Sequence, residues 1–338
     1  MNDIYTTAGW VNAKRIVHGK APIALAIGGR GIGKTYGVLS ELLDINAKFI
    51  YLRRTQTQID ACKIQELSPF TTICRDKGIV VNAKSISKQI AGFYRVDGEK
   101  ENIIAVGIAL SSFATVRGFD ASEYDYILFD EFIPERHERK LSHEGEAFLN
   151  VVETVNRNRE LSGKNPIKVI LLSNANTIES PILSAIGAVK PLDKMIRQGR
   201  ENGVFYDGLL EIFDYNKCVI SEKKKETFLY KVSQNKDFSE MSINNSFGRD
   251  MYDNVKSMPL SEFAFVVCIN SMSIYKHKAD ALYYVIAGER GQLIYNTTDP
   301  NIIRGLKQRY FHVFRALCSG RVFFSSLDVK MQFNNFWE

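Results

Sequence analysis

The sequence predicts an α/β chain with a central, mostly parallel sheet, followed by a linker and a smaller α+β domain. Three observations predict it. An apolar run, Ile23 to Ile27, enters a glycine-rich turn that opens a segment of helical spacing. Short apolar runs recur at 48–54, 124–129 and 168–173, the texture of strands buried on both faces in a helix-covered sheet. Beyond Phe213 the chain becomes polar and then strand-rich again. A length of 338 residues suits two cores better than one, which we place at 1–213 and 256–338 with 214–255 between them.

The first element is AIGGRGIGKTYG, residues 26–37, where Gly28, Gly29, Arg30, Gly31, Ile32, Gly33, Lys34 and Thr35 fit the pattern GxxxxGK[ST]. Glycines let backbone N–H groups close around phosphate oxygens, the lysine reaches the β/γ-phosphates, and the hydroxyl ligates Mg²⁺. Strand-like IALAI before the turn and helix-like VLSELL after it make this a nucleotide site, with ATP and Mg²⁺ as its expected occupants.

Such a loop needs an acidic strand beside it. Tyr124-Asp125-Tyr126-Ile127-Leu128-Phe129-Asp130-Glu131 is that strand. Asp130 falls at its carboxyl end, where α/β sheets place ligands, and is the expected Mg²⁺ holder. Glu131 is placed to deprotonate an attacking water. The guanine-reading NKxD is absent, since Asn216-Lys217 continues with Cys218-Val219, so ATP is the expected nucleotide. A third strand, Lys168 to Ser173, closes on Asn174, either a contact to the γ-phosphate or attacking water, or a cap of the following turn.

The remaining elements follow in chain order. Lys48 to Arg54, FIYLRR with its leading lysine, is a short strand after the phosphate-loop helix. Phe93 to Lys100 reads as a hairpin turning at Asp97-Gly98, whose polar tip with Lys100 is either a contact finger or a solvated turn. Residues 144–160 form a helix with Phe148, Val151, Val152 and Val155 on one face, ending in Arg157 and Arg159. Those cations either complement the helix dipole or supply an arginine finger to a neighbouring subunit. SEKKKE at 221–226 and the polar stretch 233–258 read as the linker region. Phe263–Ile269, Ser273–Lys276 and Leu282–Ile286 then make an antiparallel meander, with helical and mixed segments to the end.

Bulk properties exclude several classes. Hydrophobic residues are 45% and charged residues 24% of the chain, ordinary for a globular protein. Apolar runs reach only about eight residues, too short to span a bilayer, and MNDIYTTAGW lacks the regions of a signal peptide. The five cysteines are scattered and never spaced CxxC, which argues for a reducing compartment and against structural zinc. The net charge of +6 tilts weakly toward a polyanionic partner. No tail concentrates it, so any such contact rests on local patches.

Taken together, GGRGIGKT, FIYLRR, the FYRVDG hairpin, YILFDEF, ETVNRNRE with LLSNA, and DFSEMSINNSF give a chain that resembles the DNA-packaging (encapsidation) ATPases of phi-29-like bacteriophages. The Val116-Arg117-Gly118 segment is similar to the related large terminases. The resemblance runs through most of the chain and implies an ASCE-type motor ATPase. Such a motor forms a homo-oligomeric ring, pentameric in family members, on a capsid portal, and pumps double-stranded DNA into a prohead in the host cytoplasm. Some members also use a structural packaging RNA. Carried over residue by residue, Lys34 and Thr35 bind phosphate and Mg²⁺, Asp130 holds the metal, and Glu131 is the catalytic base. Arg157, ahead of Arg159, is the finger acting in trans, and Asn174 couples hydrolysis to movement. SGKNP at 162–166 departs from the family pattern by lengthening the loop after the arginines. The resemblance also implies an RNase H-like second domain. A two-metal nuclease needs clustered carboxylates, yet FAFVVCIN carries none, and Asp280, Asp299 and Asp328 stand apart in sequence. The expectation is a DNA-binding module without nuclease activity, with Lys276, Lys278, Arg304, Lys307, Arg309 and Arg321 either gripping DNA or lying on ordinary solvated surface.

Overall fold

The computed structural model describes residues 3–116, 120–135, 138, 141, 143–174, 180–224, 226–232 and 252–337. Several sequence features lie outside them in whole or part: Arg117-Gly118, Ala175 of LLSNA, Lys225 of SEKKKE, and 233–251 of the polar stretch, with DFSEMSINNSF at 237–247. The chain divides into two compact units, Met1–Gly248 and Arg249–Glu338.

The first unit is built on nine strands, β1 Ile23–Gly28, β2 Phe49–Arg53, β3 Val81–Ser85, β4 Ile90–Asp97, β5 Lys100–Ala109, β6 Tyr126–Asp130, β7 Lys168–Ser173, β8 Asn202–Phe205 and β9 Leu210–Tyr215. They lie in the order β3-β4-β5-β2-β6-β7-β1-β9-β8. The six central strands from β5 to β9 are parallel, while β3 and β4 at one edge and β8 at the other are antiparallel. The expected mostly parallel sheet is therefore present. The hairpin turns between Asp97 and Lys100, which are paired, with Lys100 exposed.

Register decides where the chemistry can sit. Ile27 pairs with Ser173, Asp130 with Leu172, and Leu52 with Phe129, so the carboxyl ends of β1, β2, β6 and β7 form one edge. The helix Lys34–Asp44 leaves that edge and buries Val38, Leu39, Leu42 and Leu43. On the helix Glu144–Asn156, Phe148, Val151 and Val155 are buried and Val152 only half-buried. Phe148 lies 5.8 Å from the ring of Phe129, which fixes this helix along β6.

The domain boundary needs correction. Asp214 and Tyr215 belong to β9, and Val219–Lys224 is a helix. Ser221 is buried, and the Cys218 thiol donates to the Gly9 carbonyl at 3.3 Å. The described part of 214–224 is thus built into the first unit. Composition misleads here because Glu222 and Lys223 remain in solvent while the backbone of the same turn docks.

In the second unit, β10 Phe263–Ile269, β11 Met272–His277 and β12 Tyr283–Ala287 form the antiparallel meander. β13 Ile294–Tyr295 adds parallel to β10, and β14 Val322–Phe324 parallel to β12. Helices Pro300–Arg309, Phe311–Cys318 and Leu327–Trp337 accompany this sheet, and Val267, Ile274, Val285, Val313, Phe324 and Phe333 form its core. Among the described residues no helix is long and apolar enough to cross a membrane.

The start of the helix Glu144–Asn156 sits very close to the helix Pro181–Ala185. A Cβ on Gly145 would stand 2.6 Å from the Pro181 carbonyl oxygen, a backbone atom that cannot swing aside. Gly145→Ala is expected to lower unfolding free energy by about 1–3 kcal/mol, the usual penalty of overpacking, as read by urea denaturation.

Candidate functional site

The carboxyl ends of β1, β6 and β7 converge on a cavity of about 360 Å³ lined by Arg30, Gly31, Gly33, Lys34, Thr35, Tyr36, Asp130, Glu131, Glu135, Ser173 and Asn174. It forms because β1 stops at Gly28 and the chain turns sharply into the next helix. Gly33 caps that helix in the left-handed region, with φ 90°, a conformation glycine adopts without steric penalty. Ile32 is fully buried and anchors the loop.

Lys34, the first residue of the helix, is nearly buried. Its ammonium donates to the Gly28 and Gly29 carbonyls, both at 2.8 Å, and to Asn174 Oδ1 at 3.2 Å. Burial pushes its pKa down to about 7, partly opposed by Asp130. Asn174 is thus drawn to the phosphate-loop lysine. Thr35 Oγ1 donates to Asp130 Oδ1 at 2.9 Å. A hydroxyl and a carboxylate oxygen at that separation, beside a loop rich in glycine, are hard oxygen donors that fit Mg²⁺.

Asp130 is buried, which raises its carboxyl pKa against the pull of Arg53. Two further groups hold it: Tyr51 donates its hydroxyl to Oδ2 at 3.1 Å, and Arg53 Nη1 donates to Oδ2 at 3.2 Å. Arg53 Nη2 donates as well to Glu131. Glu131 follows Asp130 directly and would project to the opposite face had the strand continued. Instead its backbone adopts φ 52°, rare for a residue with a side chain, and this twist lets one guanidinium bridge both carboxylates. The Glu131 side chain is otherwise half-exposed.

Sequence reasoning missed Tyr51, Arg53 and Glu135. Tyr51 and Arg53 are two apart on β2 and so share a face, a signal that FIYLRR did carry. Glu135 pairs with Arg30 at the head of the loop, a contact across 105 positions that no local pattern reveals.

Arg157 and Arg159 are not brought to this cavity. Arg159 donates to the Tyr124 carbonyl at 3.0 Å and pairs with Asp125, at the amino end of β6. That is about 16 Å of strand away from Asp130. Arg157 is exposed and ends its helix at φ 44°, ψ −131°. The SGKNP loop tightens through a 3-10 turn at Glu160–Ser162, with Lys164 N donating to the Arg159 carbonyl at 2.9 Å.

The cationic candidates are dispersed. Lys100 lies in the first unit at the hairpin tip, and the rest lie in the second. Lys276 is exposed on β11, and Lys278 donates to the Ser261 carbonyl at 2.7 Å. Arg304 and Lys307 share the helix Pro300–Arg309, with the Lys307 ammonium 5.7 Å from the Phe336 ring. Arg309 donates to the Tyr295 hydroxyl at 3.2 Å, and Arg321 is exposed just before β14.

Lys34→Ala removes the one buried cation at the loop. The expected result is nucleotide affinity weakened about 10- to 100-fold, the worth of a charge-assisted hydrogen bond, in a titration with a fluorescent ATP analogue. Unchanged affinity would show that the cavity is not where nucleotide binds.

Comparison with solved structures finds the phi-28 gp11 DNA packaging motor, 20% identical, with a TM-score of 0.66 over 98% of this chain and 97% of that one. The bacteriophage phi-29 viral genome packaging motor assembly, 17% identical, also gives 0.66, over 97% of this chain and 99% of that one. At these identities the likeness is one of fold. Comparison with curated proteins gives no match. The family model for the podovirus DNA encapsidation protein (Gp16) matches residues 7–295, and with most of its length so accounted for, the chain belongs to that family.

Proposed function

We propose that this encapsidation protein is the ATP hydrolase of a phage DNA-packaging motor. The observation that carries the reading is the convergence of Lys34, Thr35, Asp130, Glu131 and Asn174 on one cavity at the carboxyl edge of the parallel sheet. Backbone amides from Gly29 to Gly33 and the Lys34 ammonium hold the phosphate chain. Thr35 and Asp130 would hold Mg²⁺, which when bound offsets phosphate charge. Glu131 is the general base. It is paired with Arg53, so it must leave that guanidinium before it can take a proton from water, and Arg53 therefore sets when the base is available. Asn174, hydrogen-bonded to Lys34, senses the γ-phosphate, whose loss after hydrolysis removes contacts that hold one arrangement of the protein.

Arg157 acts in trans, completing the site of the next protomer in a homo-oligomeric ring. Its exposed position at the helix end, with a positive φ and with Nε donating to the Thr154 carbonyl at 3.2 Å within its own last turn, supports the assignment. By family resemblance the ring is a pentamer at the portal vertex of a prohead in the host cytoplasm, with a packaging RNA as a further partner. Its substrate is double-stranded DNA, gripped without regard to sequence and so with a strong salt dependence.

Residues 256–338, within the second unit Arg249–Glu338, serve as an RNase H-like DNA-binding module without nuclease activity. The placement of its acids supports this. Asp280 lies in the turn beside His277, Asp299 caps a helix by accepting from Asn301 N at 2.8 Å, and Asp328 sits in the first turn of the last helix. Among the described residues these carboxylates belong to no group of three or more acids, histidines or cysteines that could hold a metal ion, and two-metal cleavage needs such a group.

The test is ATP-dependent protection of DNA from nuclease by purified proheads. Glu131→Gln should keep nucleotide affinity while turnover falls at least about 100-fold, the scale of general-base catalysis, and DNA protection disappears. Loss of binding would instead give Glu131 a structural role. In assembled rings Arg157→Ala is expected to lower turnover about 1,000-fold, with affinity retained. Normal turnover would remove Arg157 as the finger.

A further inference from the structure

Two consecutive arginines follow β2's apolar run, and they leave the backbone on opposite faces. Arg53 holds Asp130 and Glu131, two residues that line the cavity. Arg54 is fully buried, with 0% exposure. Its Nε donates to Glu144 Oε1 at 2.7 Å, and its Nη1 to Glu138 Oε2 at 3.1 Å. Glu144 is itself 1% exposed and is the first residue of the helix Glu144–Asn156. A second route reaches Arg54 from the cavity. Arg30 of the phosphate loop pairs with Glu135, whose backbone N–H donates to Glu138 Oε2 at 3.0 Å, the oxygen that also accepts from Arg54.

A buried ion pair is weak evidence for stability, because two apolar residues of like volume often serve the fold as well or better. Here the pair sits where position matters. The helix it starts has 13 residues, about 20 Å of rod. Phe148 holds it against Phe129, and it ends at Arg157. A tilt of about 3° at Glu144 would move that end by about 1 Å, and misplacing a catalytic group by that much can cost about 100-fold in rate.

We propose that Arg54 is a positioning residue that passes the state of the nucleotide site to the helix end carrying Arg157, through its buried pair with Glu144. Arg53 follows the two carboxylates, Arg54 shares its backbone, and the helix carries the displacement to the subunit boundary. One protomer's nucleotide state thereby sets how well it serves its neighbour's site. This rests on the reading of Arg157 as a finger in trans.

The experiment is a mutant cycle on full-length protein assembled on proheads with DNA, measuring ATP turnover for wild type, Arg54→Met/Glu144→Leu, Arg157→Ala and the triple variant. The apolar pair should keep the thermal midpoint and the affinity for an ATP analogue while lowering turnover about 10- to 100-fold. The triple variant should be no slower than Arg157→Ala alone, because the pair acts only through that arginine. Multiplied losses, or wild-type turnover in Arg54→Met/Glu144→Leu, would overturn the coupling and leave the finger standing. Normal turnover in Arg157→Ala would overturn the finger and the coupling together. Glu144→Gln, which keeps an oxygen acceptor and loses the charge, gives the same cycle should the apolar pair fold poorly, and a fall in turnover without a fall in affinity is again the expected result.

Discussion

A parallel sheet has two unlike edges, and the chemistry of this protein depends on that asymmetry. Six strands run the same way, so the residues that end β1, β2, β6 and β7 meet along one edge however far apart they are in sequence. Lys34, Arg53, Asp130 and Asn174 occur between positions 34 and 174, yet hydrogen bonds join Lys34 to Asn174 and Arg53 to Asp130. The antiparallel strands at the flanks extend the sheet without contributing to this edge. The same asymmetry explains why Arg157 and Arg159 belong elsewhere, since a helix laid back along β6 ends at the amino edge.

Concentrating charge at a buried edge carries an electrostatic cost that the site resolves by pairing. Burial opposes the charged forms of both Lys34 and Asp130, and each is compensated by neighbours of opposite sign or by carbonyl dipoles. Lys34 takes two loop carbonyls, and Asp130 takes Thr35, Tyr51 and Arg53. Glu131 is the exception, because half of its side chain remains in solvent and Arg53 is the only described partner of its carboxylate. On the proposed roles, the base is held by one partner and half in solvent, while the acid proposed to hold the metal beside it is buried and held by three. One guanidinium shared between a fixed and a releasable carboxylate is a natural place for control of hydrolysis.

How much of this was legible in the sequence follows from locality. The phosphate loop and the acidic strand are written in contiguous residues whose chemistry has few other uses, while for Asn174 the sequence left a turn cap equally open. The meander from Phe263 to Ile286 was visible through its β-branched and aromatic runs. The edge strands β3 and β8, and the central strands β5 and β9, were not, because their patterns mix polar and small residues that only pairing explains. Arg54 illustrates the deeper limit. Its sequence neighbourhood is that of a strand end, and nothing local distinguishes a solvated arginine from one fully buried against a glutamate 90 positions away. The helix Val219–Lys224 was misread for the opposite reason, since its charged letters conceal a docked backbone.

The arrangement of arginines argues for a ring more directly than any single motif does. A self-sufficient hydrolase would gain from a guanidinium aimed into its own cavity; Arg30 lines it and Arg53 holds two carboxylates that line it, but each is paired with a carboxylate of the same chain. The guanidinium that phosphoryl transfer needs to offset developing charge would have to come from one not committed to the cavity's own acids. Arg159 pairs with Tyr124 and Asp125 just ahead of β6, and Arg157, its Nε on the Thr154 carbonyl, is exposed at a helix end in a backbone conformation that a relaxed chain would avoid. Strain retained at an exposed cation is understandable if the cation's partner is a phosphate on another protomer. On the proposed reading of Arg157, the site of this protein is divided between two protomers, one lending the other a guanidinium.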